Sequence, residues 1–333
     1  MKIMILGGSG NISSAIVTQL LEKNHEVVCY NRGQNRAEPL PKAVRQLHGD
    51  RRADRTAFEA LMRAENPDAA IDMICFAQQD AESDLRAFPQ VKKMVYCSTV
   101  CVYGLPGNRL PLTEEMEPTP TTGYGAGKKA AEDVFMRAYR DTGFPVTILR
   151  PSTTYGNQVG LVSSVGENSV WLDRVKKGKP VLVCGSGNNL HQFMHARDAA
   201  QAFVQAVDAP HTAGQIYNLV GTGYTDWNTF YATGMKILGQ TVPILGVSLD
   251  ILQALGAERF GYACDIFAHN AYYSNAKLLR DFPDFTQRVD LESGMREVIA
   301  WCEAHGTIPA CEAYPVEERL VQALLAIKTT ILK

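Results

Sequence analysis

No apolar run in the chain approaches the ~18–20 residues that span a bilayer. The opening segment, Met1-Lys2-Ile3-Met4-Ile5-Leu6, is too short for a signal peptide and stops at Gly7-Gly8. A cytoplasmic protein with no membrane partner is expected. Charge of one sign is also missing: 33 Lys and Arg face 35 Asp and Glu, a formal net charge of −2. No overall field therefore draws the chain to nucleic acid or anionic lipid. The eight cysteines contain no Cys-x-x-Cys pair. Cys29, Cys75, Cys97 and Cys184 sit in apolar runs, so reduced core thiols are expected, and a nucleophilic role for Cys97 is disfavoured. There is no internal repeat, no low-complexity tract and no Pro/Gly/Ser-rich linker. What remains is a globular, enzyme-like composition, 46% hydrophobic and 20% charged. At 333 residues the chain exceeds the roughly 250–300 at which a single core stops growing, which predicts a large lobe with a smaller one attached.

Strand-like apolar runs at residues 2–6, 26–30, 44–48, 69–76, 92–97 and 145–150 alternate with helical patterns at 11–23, 54–65, 79–87 and 123–142. Continuous apolar strands separated by helices imply a parallel sheet covered on both faces. The alternation loosens after Arg150-Pro151. Strands at 181–184 and 215–220 and helices at 167–177 and 196–207 follow, and then a mostly helical tail with helices at 226–238, 248–255, 275–281, 291–305 and 317–331. The predicted fold is α/β: a Rossmann-type doubly wound parallel sheet with a smaller, mostly helical C-terminal substrate lobe. Residues 1–155 and 181–220 are assigned to the dinucleotide-binding domain, and 156–180 and 221–333 to the interleaved substrate lobe. The last helix is amphipathic and is expected to pack on the small lobe.

Gly7-Gly8-Ser9-Gly10-Asn11-Ile12-Ser13 joins the first strand to the first helix. Glycines there permit a tight turn, and a helix N-terminus offers unpaired amides to a pyrophosphate. Gly7, Ser9, Gly10, Asn11 and Ile12 are thus candidate cofactor contacts, with Ser13 standing where a third glycine is usual. A carboxylate at the end of the second strand would select NAD, but the chain has Asn31-Arg32-Gly33. Asn31 and Arg32 therefore point to NADP, preferred over NAD. Asp50 is placed to meet the adenine edge, and Ala77, beyond the fourth strand, is a further candidate contact.

Tyr124 and Lys128 lie four residues apart at the start of a helix and share a face. Bringing a phenol from its usual value near 10 to a phenolate near neutrality costs about 4 kcal/mol. A nearby ammonium in a partly buried site is expected to supply much of that, making Tyr124 a general acid or base. Gly125 and Gly127 are poor helix formers, and close approach to a bound ligand is one expected compensation.

These features together identify a resemblance. The chain resembles the extended short-chain dehydrogenase/reductases of the NAD-dependent epimerase/dehydratase family, most strongly up to residue 160. The segments that carry it are the glycine loop, Tyr124/Lys128, Val95-Tyr96-Cys97-Ser98-Thr99-Val100-Cys101-Val102-Tyr103-Gly104, Arg150-Pro151-Ser152-Thr153-Thr154-Tyr155-Gly156 and Phe193-Met194-His195-Ala196-Arg197-Asp198-Ala199-Ala200. The resemblance implies a Thr99–Tyr124–Lys128 triad, with Ser98 as the alternative to Thr99. It implies hydride transfer at a secondary alcohol or ketone of a sugar or nucleotide-sugar, by an epimerase or a reductase, and a homodimer. Dehydratases of the family carry an Asp-Glu pair where this chain has Val100-Cys101, so dehydration is disfavoured. Positions that hold the diphosphate in nucleotide-sugar epimerases match Thr153 and His191, which with Tyr155 are the candidate substrate residues. No metal is expected at His191 and His195. Arg197 and Asp198 are read as structural, Asp72 as a paired buried carboxylate, and the acidic residues 114–117 as a solvated loop. A non-catalytic or RNA-binding relative of the same fold is the alternative function, opposed by the intact Tyr/Lys pair and the near-neutral charge.

Overall fold

In the computed structural model, residues 1–33, 39–105 and 109–331 are described. Seven strands form one parallel sheet: β1 (Lys2–Leu6), β2 (Glu26–Asn31), β3 (Arg45–His48), β4 (Ala69–Asp72), β5 (Lys93–Cys97), β6 (Val146–Pro151) and, after three shorter strands, β10 (Gln215–Leu219). Their order across the sheet is β10-β6-β5-β4-β1-β2-β3. Strand order reverses between β1 and β4, and ligands of such sheets bind at that switch point, beyond the strands' carboxyl ends. Residues along β1 alternate between two cores. Ile3 and Ile5 pack under α1 (Asn11–Glu22) and α6 (Ala196–Val207). Met4 and Leu6 pack under α2 (Arg55–Glu65), α3 (Gln78–Ala87) and α4 (Gly123–Thr142). With both faces covered, β1 reads as an unbroken apolar run.

The fourth strand stops at Asp72, four residues before its expected end. The Asp72 carboxylate accepts the Ile74 backbone N–H at 2.6 Å, an Asx-type turn that takes the chain out of the sheet. Residues 73–76, read as strand, instead cross the mouth of the switch point, where Met73, Ile74 and Phe76 line the cleft.

Three short strands were not foreseen. β7 (Thr153–Tyr155) pairs with β9 (Phe193–His195), and β11 (Ile244–Val247) pairs with β8 (Val181–Cys184). Strand β8, assigned from sequence to the dinucleotide-binding part, therefore pairs outside the central sheet. The C-terminal part packs α5 (Val170–Lys176), α7 (Trp227–Leu238) and α11 (Leu291–His305) around Trp171, Trp227, Phe230 and Tyr231. A second small core brings Leu182 and Val247 together with Val316 and Val321 of the helix Pro315–Ile331. Helix α5 is shorter than expected because Ser169, at φ +62°, stands outside the helical conformation. The helix 257–262 and the π-helical turn 263–267 were also missed. The eight cysteines are free. Among the described residues no helix is long and apolar enough to cross a membrane.

Candidate active site

The glycine loop leaves β1 with Gly7 at φ +83°, where a Cβ would stand 2.4 Å from Ile74 Cγ2. At Gly8 a Cβ would stand 2.3 Å from Cys29 Sγ. Ser13, which stands where a third glycine is usual, laces the loop: its Oγ accepts the Gly10 N–H and donates to the Gly7 carbonyl, both at 2.7 Å. Gly7, Ser9, Gly10, Asn11, Ile12, Asn31, Arg32, Asp50 and Tyr124 all line one cleft of about 610 Å³ at the switch point. Within it, both amide atoms of the Asn11 side chain and Nδ2 of Asn31 are buried without a hydrogen-bond partner. Polar atoms left in that state ask for a ligand or water. Ala77 does not line the cleft. Because β4 ends early, Met73, Ile74 and Phe76 form that wall, and Ala77 becomes the cap of α3.

Two residues of the cleft beside Asn31, Arg32 and Asp50 escaped sequence reasoning. Arg51, 3% exposed, donates to Asp72 at 2.5 Å, to Asp84 at 2.6 Å and to the Asp80 carbonyl at 2.7 Å. Asp72 is thus the paired carboxylate expected of it. Burial holds the Asp84 carboxyl well above the usual range; the Arg51 charge opposes the rise and the Asp72 charge adds to it. Arg52 lies half-exposed in the cleft wall and donates to Asp80 at 2.8 Å. Burial disfavours an ionised Asp80, but hydrogen bonds from Arg52, the Phe76 N–H and Arg55 outweigh it and hold that carboxyl down at about 2. The only sequence signal for this platform was Asp-Arg-Arg after β3, which resembles an ordinary loop.

Thr122 caps α4 by accepting the Gly125 N–H at 3.0 Å, and the helix presents Tyr124 to the cleft at 39% exposure. Lys128 is 1% exposed; its ammonium donates to the Cys97 carbonyl at 2.7 Å and lies 5.9 Å from the Tyr124 ring centroid. The α4 glycines are explained by neighbouring backbone, not by a ligand. A Cβ at Gly125 would meet the Cys101 carbonyl at 2.4 Å, and one at Gly127 the Phe76 carbonyl at 2.3 Å. Ser98 and Thr99 differ in their partners. Ser98 donates to Glu132 at 2.5 Å, and Arg150 binds the same carboxylate at 2.8 and 2.6 Å. Thr99 accepts the Cys101 N–H at 3.2 Å and acts on the Tyr124 phenol in the direction that lowers it.

In the protein alone, burial pushes the Tyr124 phenol above its ordinary value, the Cys97 and Cys101 sulfurs add to the rise, and the Thr99 hydrogen bond opposes it. In the protein alone Tyr124 therefore holds its proton at neutral pH. Burial likewise raises the Cys97 thiol to about 11, which leaves it no nucleophilic role at that pH.

Strand alternation sorts the substrate candidates. In β7 the side chains of Thr153 and Tyr155 point away from the face that Thr154 presents to the cleft. Tyr155 is 1% exposed and packs edge-on against His195, so it belongs to the core and not to a substrate surface. Thr153 bonds His191 Nε2 at 2.8 Å. His191 is 2% exposed and ringed by Phe193, Trp227 and Phe267, and burial depresses its imidazole to about 3. His195 caps α6 by accepting the Arg197 N–H at 3.2 Å. Asp198 accepts the N–H groups of Arg288 and Val289 at 3.1 and 2.9 Å, the structural role expected of it. Of the acidic residues 114–117, Glu114 is not simply solvated: it accepts the Asn218 N–H at 2.8 Å.

The model of the NAD dependent epimerase/dehydratase family matches residues 3–87 and 85–220. The chain belongs to that family. A 2′-dehydrokanamycin reductase of Streptomyces kanamyceticus is 26% identical over 329 residues, covering 99% of this chain and 92% of the relative. A chloroplast stem-loop binding protein of Arabidopsis thaliana is 27% identical over 242 residues, covering 68% of this chain and 60% of its own length. Among solved structures, the dTDP-glucose 4,6-dehydratase of Bacillus anthracis in complex with NAD superposes with a TM-score of 0.74 at 19% identity, over 91% of this chain and 97% of the other. That likeness bears on the fold alone. The family is NAD-dependent, and relatives in it include epimerases and a reductase.

Proposed function

We propose that this protein is an NAD(P)-dependent oxidoreductase that interconverts a ketone and a secondary alcohol on a carbohydrate-like substrate, with Tyr124 as the proton-transfer group. The observation that carries the reading is the position of Tyr124, backed by the Lys128 ammonium 5.9 Å from its ring centroid, in the same cleft as the glycine loop. The residues present fit a dinucleotide. Asn11 and Asn31 hold unpartnered amide atoms, and the glycine cradle leaves no room for a Cβ at Gly7 or Gly8. Gly7, Ser9, Gly10, Asn11 and Ile12 would take the diphosphate, Asn31 and Arg32 the adenosine ribose, and Asp50 the adenine. With no carboxylate at the end of β2 and Arg32 beside it, NADP is preferred over NAD.

A bound nicotinamide supplies the hydride. Tyr124 gives its Oη proton to the substrate oxygen, so carbon gains a hydride, oxygen a proton, and the ketone becomes an alcohol. Thr99 donates a hydrogen bond to the same oxygen, and Lys128 stabilises the phenolate left behind. Tyr124 enters the reductive step with its proton in place. The likeness to a 2′-dehydrokanamycin reductase over nearly the whole chain supports the same direction.

Thr153 and His191 oppose a nucleotide-sugar substrate. Thr153 bonds His191 Nε2, and a buried imidazole held near 3 brings no positive charge to a diphosphate. The proposed substrate is therefore a free sugar, polyol or glycoside carrying a ketone. NADPH and NADH titrations, followed by the loss of nicotinamide absorbance with candidate ketones, test the reading. Stoichiometric NADPH consumption supports a reductase, and an unchanged cofactor with inverted product supports an epimerase. The similarity to a plant stem-loop binding protein keeps an RNA-binding reading in view. Binding of a stem-loop RNA with no binding of either nucleotide would replace the enzyme reading with that one.

A further inference from the structure

Aromatic rings, and no salt bridge among the described residues, surround the Lys128 ammonium. It lies 4.5 Å from the Phe76 ring centroid, 5.2 Å from that of Tyr96 and 5.9 Å from that of Tyr124. The carboxylate one turn along α4, Glu132, is taken up by Arg150 and Ser98. An ammonium only 1% exposed has shed its water, so the Cys97 carbonyl and the negative ring faces are what stabilise its charge. Phe76 is the nearest of the three rings, and its backbone is fixed on both sides. Its N–H donates to Asp80 at 3.0 Å, and its carbonyl lies against Gly127. The ring forms part of the cleft wall, 6.3 Å from the Tyr124 ring and 5.5 Å from the Arg52 guanidinium.

We propose that Phe76 is a positioning residue: its ring face keeps the Lys128 ammonium dry and in place beside Tyr124, so that water does not screen the charge on which a phenolate depends. The proposal rests on Tyr124 being the proton-transfer group. The other groups facing this pair are Tyr96 and Cys97 of β5, the buried Cys75, Thr99 and Cys101 of the turn after β5, Tyr262 of the C-terminal part and Arg52, 5.5 Å from the Phe76 ring centroid. Of the two cations beside the Phe76 ring, Lys128 is the one 5.9 Å from the Tyr124 ring centroid. Phe76 therefore acts on the phenol through the ammonium, without itself touching the reacting oxygen.

The test uses the full chain labelled with 13Cζ-tyrosine and saturated with NADP, titrated by NMR, with the Tyr124 signal assigned by its loss in Tyr124→Phe. Phe76→Leu keeps apolar bulk without a ring face. It is expected to move the Tyr124 ionisation upward by about half a pH unit, roughly threefold in the ionisation constant. Phe76→Trp restores a ring face and is expected to return the midpoint to its wild-type position. Coincident Leu and wild-type midpoints overturn the proposal, and so does a Trp variant that behaves like Leu, which would leave Phe76 a packing role only. If wild-type Tyr124 with NADP bound does not titrate below about 10, the ordinary phenol value, the acid–base reading falls and the proposal with it.

Discussion

A single guanidinium, Arg32, exposed beside the end of β2, is where cofactor choice is proposed to be made. Arg32→Glu is expected to weaken NADPH binding by about 10–100-fold while leaving NADH binding within about threefold, because a charge-assisted contact to the 2′-phosphate is worth about 1.5–3 kcal/mol. Parallel fluorescence titrations of the two nucleotides measure it; equal losses for both would contradict the selectivity role, and unchanged binding of both would assign Arg32 to the surface. Residue identity was legible in the sequence wherever chemistry fixes the type: glycines in the loop, Tyr and Lys on one helix face, Thr99 before the turn. It was not legible where partners come from distant segments. Nothing local announces that Ser98 is taken by Glu132 and Arg150, or that Tyr155 turns into the core while Thr154 faces the cleft. Such facts depend on strand register, and a shift of one residue exchanges the two faces.

Helix α4 shows how an element can be read correctly for a partly mistaken reason. Its bounds were legible, from Thr122 capping one end to Gly143 in the left-handed conformation at the other. Its glycines, expected to admit a ligand, instead admit two backbone carbonyls. Gly127→Ala sets these effects against each other. Better helix propensity would gain about 1 kcal/mol, whereas a Cβ 2.3 Å from the Phe76 carbonyl forces the loop and helix apart. Overpacking of this kind costs about 1–3 kcal/mol. Net destabilisation by about 1 kcal/mol is expected in urea denaturation, together with weaker dinucleotide binding as the cleft wall shifts; a stabilised variant would contradict the packing account. The three-residue strands β7 and β9 were beyond sequence reading because a period of two cannot be recognised in so few residues.

At the scale of the whole molecule, the arginine platform beside Asn31, Arg32 and Asp50 ties stability to pH with two opposite signs. Asp80 is held at about 2 in the folded protein, below its unfolded value near 3.9. Its contribution is therefore present above pH 4 and lost as pH falls toward 2. Asp84 is raised, so its effect runs the other way: stability declines as pH rises from the unfolded carboxyl value toward the folded one. Asp80→Asn should cost on the order of 1–2 kcal/mol at pH 7 and flatten the acid limb below pH 4, read from urea midpoints across pH; an unchanged acid limb would remove Asp80 from the account. The global architecture was the most legible level of all, since alternating apolar strands and helices fix a parallel sheet with its switch point at the glycine loop. The measurement that bears most directly on that architecture's purpose compares wild type with Tyr124→Phe in NADPH binding and in NADPH-dependent ketone reduction. The account predicts nucleotide affinity within about threefold and a rate lower by about 10²–10⁴-fold in the variant. A wild-type protein that binds neither nucleotide, or a variant that reduces ketone at the wild-type rate, would contradict it.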